Sequence, residues 1–528
     1  MKLEFDVSAQ EYAILRDILE GHLPKGVKVW VFGSRAKNTA RFNSDLDLAL
    51  EGAGALPRDI IPRLKDTLTD APIAYRVDLV DMAEVSASFA EIIRAQAVRF
   101  PIEPQGNVPK LRFPGFNGAW KGTRLGKHAV KVGSGVTPKG GASVYQDSGI
   151  PLLRSQNVRD SFLDLSDVAY ISDEIHESMS GSHVQDSDVL LNITGASIGR
   201  SCVAPKGTSP ANVNQHVCII RLDCDNSPEF IQTILASPKG EKLIFQSQAG
   251  GGREGLNFEN VRKFRINLPT LPEQRKIAGC LGAVDTKIAQ LASRQRLLED
   301  YKKGCMQQLF SQKIRFTDDT GNDFPEWKEK RLGDVFSWIN TNSLSRERLT
   351  YDGGHVQNIH YGDIHTKFAA NFHQNAEPVP YVKDATPEDF KREQFCKIGD
   401  VVIADASEDH ADIGKAIEIV SLGDKPMVAG LHTYIARPKP ATVQTGFAGY
   451  LLRSAPMRRQ IERIAQGISV LGISKGNLEK LTFFLPHPDE QRKIADFLSA
   501  LDRKIDLVGQ ELTHTRTFKQ GLLQQMFV

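Results

Sequence analysis

The sequence predicts an α+β multidomain protein, and three observations lead there. One phrase is spelled twice: TLPEQRKIAGCLGAVDTKI begins at Thr270 and HPDEQRKIADFLSALDRKI at His487, 217 residues further on. Short β-branched runs such as DVLLNI, VCIIRL and DVVIAD recur among Gly, Asn, Ser and Asp turns, with helical stretches near 228–247 and 445–465. Finally, residues 1–105 match neither copy of the repeat and carry a strand–turn–aspartate pattern of their own.

That front region, 1–105, centres on VKVWVFGSRAKNTARFNSDLDLAL, followed by YRVDLVD. An apolar strand, Val27–Phe32, leads into Gly33-Ser34, a turn able to lay backbone amides against a phosphate. Ten residues then separate Ser34 from Asp45-Leu46-Asp47. Strand residues two apart share a face, so Asp45 and Asp47 project together while Leu46 and Leu48 turn to the core. The same alternation turns Asp78 away from Val77 and Leu79. Three carboxylates on one surface are costly unless a cation joins them, and Mg²⁺ favours carboxylates together with substrate phosphates.

Gly-Ser, ten residues, Asp-x-Asp and a later third acid together resemble the minimal nucleotidyltransferases of the DNA polymerase beta superfamily, an α/β fold. The resemblance implies that Gly33 and Ser34 cradle a triphosphate, that Asp45 and Asp47 are metal ligands, and that Asp78 activates an acceptor hydroxyl. It also implies Mg²⁺ and ATP, or another nucleoside triphosphate, as cofactors. Arg35 either neutralises the β- and γ-phosphates or caps the next helix. Minimal members resemble antitoxins that transfer AMP to a partner toxin, typically a HEPN-domain RNase. This sequence has no convincing Arg-x4-6-His motif of that kind, so a toxin or other acceptor would be a separate chain.

A Pro-rich polar stretch, FPIEPQGNVPK, reads as a short stiff linker, with residues 106–114 joining the front to the repeat. Two homologous halves follow, 107–312 and 313–528. LRFPGFNGAWKGTRLG answers IRFTDDTGNDFPEWKEKRLG, SDVLLNITGASIG answers GDVVIADASEDHADIG, and QHVCIIR answers LHTYIAR. Each half divides into a mixed globular region, 115–272 or 313–487, and a long helix, 273–312 or 488–528. Pro272 and Pro488 suit a first helical turn, with acids behind them where the helix dipole favours negative charge. The first helix places Ile277, Leu281, Val284, Ile288, Leu291 and Leu298 on one seam, with Gln295 as its polar member. The second places Ile494, Leu498, Leu501, Ile505, Val508 and Leu512 identically. A seam of 3.5-residue period predicts that the helices pack on each other, as an antiparallel rod of ~55 Å, with the globular regions at its opposite ends in pseudo-twofold arrangement.

Residues 107–528 resemble the DNA-specificity subunits of type I restriction-modification systems, through VPKLRFPGF, GSGVTPKGG, LLNITGASIGR, NVNQHVCIIR and both EQRKIA helices. The resemblance implies two target-recognition domains, each reading half of a split site on double-stranded DNA, alternating with two conserved spacer helices. The rod would fix the half-site spacing and dock two methyltransferase subunits, with restriction/translocase subunits completing the complex. Base edges are read by Arg, Lys, Asn, Gln, Ser and Thr, while phosphates are held by Lys, Arg and backbone amides. The candidate readers are Arg154, Gln156, Asn157, Asn192, Thr194, Arg200, Asn214 and Gln215 in the first domain. In the second they are Gln357, Asn358, His360, Ser407, His410 and His432. The loops differ between the domains, so the half-sites should differ in sequence.

Composition narrows the alternatives. A net charge of +2 over 528 residues announces no global polyanion binder, so any basic surface is local. The six cysteines form no CxxC pair, which argues against disulfides and structural zinc and suits a reducing bacterial or archaeal cytoplasm. No apolar run reaches the ~18 residues of a membrane span and no signal-peptide pattern opens the chain, so no membrane association is expected. GSGVTPKGG lacks the GK[ST] ending of a phosphate-binding loop, and His183, His216, His410 and His432 lack metal-ligand spacing. No methyltransferase or helicase motif appears, so modification and translocation would belong to partner chains. The main reading is a DNA-specificity subunit with an appended transferase. The competing one is an AMP-transferring enzyme whose rear half serves as its DNA-targeting module.

Overall fold

A computed structural model describes residues 4–24, 26–37, 39–41, 44–73, 75–101, 107–248 and 255–528. Ile102–Gly106, the core of the expected linker, lies outside the described residues. The chain divides into two compact units, one of Met1–Leu281 with Gly521–Val528, the other of Gly282–Gln520.

In the first unit, the front domain is a four-stranded sheet of β1 (Lys28–Phe32), β2 (Leu46–Glu51), β3 (Val77–Asp81) and β4 (Val98–Phe100), in the order β3-β2-β1-β4. The expected alternation holds: Leu46 and Leu48 are wholly buried, and Val77 and Leu79 nearly so. They pack with Leu15 and Leu19 of helix α1 (Ala9–His22) and Leu64 and Leu68 of α3 (Ile60–Thr69), while α2 is the single turn Gly33–Ala36. Ser8 starts α1 with a full capping box to Glu11.

The first repeated domain contains a sheet ordered Ser201–Val203, Val189–Asn192, Val217–Leu222, Ala129–Ser134. The second, in the other unit, repeats this order as Ala416–Ser421, Val401–Ala404, Thr433–Pro438, Phe336–Ile339, and adds Asn371–His373 at the edge. A second four-stranded sheet lies in each domain. The strands read from sequence are therefore present, but the two helical stretches are each broken. Pro228–Leu235 and Pro238–Gln246 meet at Ser237, and Ala448–Arg453 and Ala455–Ile464 meet at Ser454. The cause is Pro238 and Pro456, tolerated only in a first turn, so each forces a fresh start.

A buried Arg–Asp pair recurs behind both sheets. Arg221 forks onto Asp188 through Nε and Nη2, both 2.8 Å, and Arg437 onto Asp400 at 2.8 and 2.7 Å. Asp188 and Asp400 are at most 1% exposed, so removing either arginine would leave a buried carboxylate without its partner.

The long helices run Leu271–Phe310 and Pro488–Met526. Within the second unit they are antiparallel: Lys302 pairs with Asp502, Lys287 with Glu511 at 2.8 Å and Lys519 with Asp285 at 2.6 Å. The helix-to-helix seam is shorter than the heptad pattern predicts. Leu291, Val508 and Leu512 form its buried centre, with Ile288 and Leu298 beside them. Ile494, Leu498 and Leu501 instead join Leu309 and Phe310 in the core of the second repeated domain. A heptad pattern requires an apolar neighbour along the stripe and does not say whose it is.

Candidate functional site

In the front domain, antiparallel β1–β2 pairing sets Asp47 opposite Phe32, and parallel β2–β3 pairing sets it beside Asp78. The chain leaves β1 through Gly33, whose φ of +76° suits glycine, and a β-carbon there would run into the Asp47 carboxylate. Gly33 is thus required twice, once by the backbone and once by the carboxylate that closes over it. Burial raises the Asp47 pKa, and the neighbouring charges of Asp78 and Asp45 raise it further. A cation would relieve that repulsion, which is the observation that fits a metal here. Among the described residues no three His, Cys, Asp or Glu side chains converge as a ready metal cage. Asp78 is in addition held by Arg76, Nε to Oδ1 at 3.1 Å.

Arg35 does not belong to this surface. It is 5% exposed, donates from Nε to the Ser44 carbonyl (3.0 Å) and from Nη1 to the Asp6 carbonyl (2.8 Å), and lies 3.5 Å from the centre of the Tyr75 ring. Both phosphate neutralisation and helix capping are overturned by this burial. Arg35 instead ties down the segment that delivers Asp45.

The repeated EQRKIA phrase also receives a structural role different from a charged helix start. Glu273 is 1% exposed and takes Arg112 Nε (2.7 Å), Arg112 Nη2 (2.8 Å) and the Trp120 indole N–H (3.3 Å). Glu490, wholly buried, takes Arg315 Nε (3.1 Å), Arg315 Nη2 (2.8 Å) and the Trp327 indole N–H (2.9 Å). The following glutamines are buried as well: Gln274 Oε1 accepts the Ser227 amide and Gln491 Oε1 the Gln444 amide, both at 2.9 Å. The phrase is a plug that seats each helix in its own domain.

In the first domain, three loops meet at one end of the main sheet. Thr137 donates to Gln215 Oε1 (2.6 Å), Gln215 Nε2 meets His216 Nε2 (3.0 Å), and Thr194 Oγ1 meets His216 Nδ1 (2.6 Å). Thr194 and Gln215 thus come together with two residues the sequence reading had not selected, Thr137 and His216. Arg154 and Gln156 both lean on Asp167, Gln156 Nε2 at 2.7 Å, and Arg200 is half-buried nearby in sequence.

Three first-domain candidates are framework instead. Asn157 Nδ2 is used by the Asp164 and Asp167 carbonyls, both 2.9 Å. Asn192, wholly buried, donates to the Ser155 carbonyl at 2.9 Å. Asn214 accepts the His216 amide in a turn, at 3.0 Å. Asn157 is bonded to main chain at both ends of its amide, since its Oδ1 also accepts the Arg154 amide at 2.9 Å, and Asn192 is enclosed, so neither is presented to a base.

In the second domain the equivalent loops meet through Asp405 and His432, Oδ1 to Nδ1 at 3.2 Å. His432 also stands edge-on to Tyr361 at 5.4 Å, and Tyr361 lies 4.6 Å from the His360 ring. Burial pushes the Asp405 pKa up and the His360 pKa down. His410 and His432 are exposed. Gln357, Asn358 and Ser407 are framework: Gln357 is bonded by Gln374 Nε2 (2.5 Å), Asn358 by Asn342 Nδ2 (2.8 Å), and Ser407 caps Asp409 (3.0 Å). His360 is 8% exposed and accepts the Gly362 amide at 3.1 Å, which leaves only its ring face near the cluster. Tyr361 was missed, yet His216 could have been found, because it matches His432 in QHVCIIR against LHTYIAR.

Comparison with known proteins gives two families. The type I restriction modification DNA specificity domain matches residues 130–299 and 325–514, and the polymerase beta nucleotidyltransferase family matches residues 15–99. The probable protein adenylyltransferase MntA of Haemophilus influenzae is 43% identical over 94 residues, 17% of this chain and 79% of that protein. The MjaVIII type I restriction enzyme specificity subunit of Methanocaldococcus jannaschii is 23% identical over 354 residues, 64% of this chain and 78% of its own. The crystal structure of the type I restriction-modification S subunit of M. genitalium shares the fold. It has a TM-score of 0.51 and 16% identity, covering 80% of this chain and 99% of that one.

Proposed function

Because this chain belongs to the type I restriction-modification DNA specificity family and carries a nucleotidyltransferase domain in front, we propose that its rear four-fifths selects a bipartite site on double-stranded DNA for methyltransferase subunits. Family members assemble with methyltransferase and restriction subunits and bind DNA. The observation that carries the reading is the pair of matched sheets whose loops share one histidine, His216 or His432, and differ around it, Thr137, Thr194 and Gln215 against Tyr361, Asp405 and His410. A shared scaffold with different side chains at its tips is what reading two different half-sites requires. Two methyltransferase subunits would dock on the antiparallel helices. Methylome sequencing of a host carrying this gene with its methyltransferase partner should show one bipartite motif, and scattered or absent methylation would refute the assignment.

A second reading rests on the approach of Gly33 to Asp47 beside Asp78. The front domain transfers AMP from ATP to a hydroxyl of a separate chain such as a toxin: the hydroxyl oxygen bonds to the α-phosphorus, the α–β phosphoanhydride bond breaks and pyrophosphate leaves. Gly33 and Ser34 hold the triphosphate, Asp45 and Asp47 would hold Mg²⁺, and Asp78 takes the proton of the acceptor hydroxyl. The ion, when bound, would neutralise phosphate charge. Labelled ATP with Mg²⁺ and candidate acceptors should give labelled acceptor with the native chain and none with the Asp45→Ala, Asp47→Ala double variant. Equal labelling by that variant would remove the reading.

A further inference from the structure

Ile468 is exposed over its whole surface, at 102% of the reference value, and Val470 is 56% exposed. Leu471 and Ile473, immediately behind them, are each 4% exposed and anchor the segment in the core. The tip between is closed by main chain alone. Gln466 and Gly472 bond each other in both directions, at 3.0 and 2.7 Å, and Gly467 turns the chain at φ +129°, where a β-carbon would strike the Val470 carbonyl. Two large apolar side chains are therefore held out in water by a backbone that does not depend on them.

The tip is fastened to the reading loops. Leu471–Gly472 pairs with Ala406–Ser407, and the Ile473 amide donates to the Asp405 carbonyl at 2.9 Å. Asp405 is the residue that holds His432. No residue from Gln466 to Gly472 is charged, so the tip carries no cation to neutralise a phosphate. On a DNA duplex an apolar side chain has two kinds of partner, the thymine methyl group in the major groove and the base planes opened by a wedge. Both are base surfaces.

We propose that Ile468 and Val470 form an apolar finger that contacts base surfaces within the second half-site. The inference rests on the DNA-reading function above and extends it to a kind of contact that the polar candidates do not make. The repeat supplies an internal contrast: at the same 217-residue offset the first half has Gly251 and Arg253, which lie outside the described residues.

The test uses the full chain assembled with its methyltransferase subunits and a labelled duplex carrying the motif found by methylome sequencing, titrated across salt concentrations. The Ile468→Ser, Val470→Ser double variant should bind about tenfold more weakly, with an unchanged slope of log Kd against log salt, because no phosphate contact has been lost. Ile468→Leu, Val470→Leu should restore binding, and thermal melting of both should match the native protein, since neither side chain supports the core. Native affinity in the serine variant, or a weaker affinity with a shallower salt slope, would overturn the proposal. Loss of methyltransferase subunits with DNA binding unchanged would overturn it in favour of a protein contact. Should the native complex recognise no bipartite motif, the DNA-reading function itself fails, which is a distinct result.

Discussion

The two repeated domains are alike where the helices plug in and unlike where the loops end. Behind each sheet the same four partners recur: a buried glutamate held by an arginine and a tryptophan, and a buried glutamine bonded to main chain. At the loop ends, one domain has a Thr–His–Gln–Thr chain and the other an Asp–His–Tyr group. Duplication has kept what seats each helix in its domain and released the side chains at the loop ends. Residues that must satisfy one another in a dry interior change only together, whereas a loop tip satisfied by water can change alone.

The most severe way to break the likeness is to remove one plug. Glu273→Ala and Glu490→Ala each leave an arginine and an indole N–H facing a buried gap, so each should cost about 3–5 kcal/mol. Urea unfolding should show similar losses in both, and a large loss in only one would mean that the halves are not equivalent. Next, Gly33→Ala forces a β-carbon into Asp47. Nucleotidyl transfer should fall on the order of 100-fold, while the methylation motif stays unchanged, which would separate the front domain from the reading halves. Thr194→Ala and His432→Ala should each relax one half of the recognised motif by about 1–3 kcal/mol. Methylome sequencing would show relaxation in opposite halves, and relaxation of the same half by both would merge the two reading edges.

A contrast in pH dependence follows from Glu418, which stands in the second domain where the first has Val203. It is 1% exposed and accepts the amides of Gly446 (2.6 Å) and Gly449 (2.8 Å), and burial pushes its pKa from 4.5 up to about 7. The folded state keeps this proton while the unfolded chain releases it, so stability falls as pH rises from about 4.5 to about 7 and then levels off. Melting of Glu418→Gln across that window should show a shallower decline; an unchanged slope would assign the dependence elsewhere. Smallest is the paired bridging of the helices. Lys519→Met, which removes the Lys519–Asp285 link, should cost less than about 1 kcal/mol in urea unfolding.

Much of this was legible from residue order. Strand alternation, a local rule, turned Asp47 and Asp78 away from the buried Leu46, Leu48, Val77 and Leu79, whereas their placement side by side needed the β2–β3 pairing; the strands of both halves followed from their β-branched runs. Arg35 was misread because a cation beside a phosphate-type turn looks functional until Asp6, Ser44 and Tyr75 arrive from elsewhere in the chain. The reading candidates divided for the same reason. Asn192 and Gln215 are equally polar in sequence, yet one ends under a loop and the other on it.

By itself the sequence determined the duplication, the foreign front domain, the strand and helix periodicities and the spacing of the acids, all of which depend on neighbours within a few residues or on comparison of the chain with itself. Only tertiary structure decided that EQRKIA begins with a buried plug, that the helical seam is shared with a domain core, and which polar side chains remain free. Those outcomes depend on burial by distant segments, and desolvation then decides whether a polar group serves the fold or remains available to a partner.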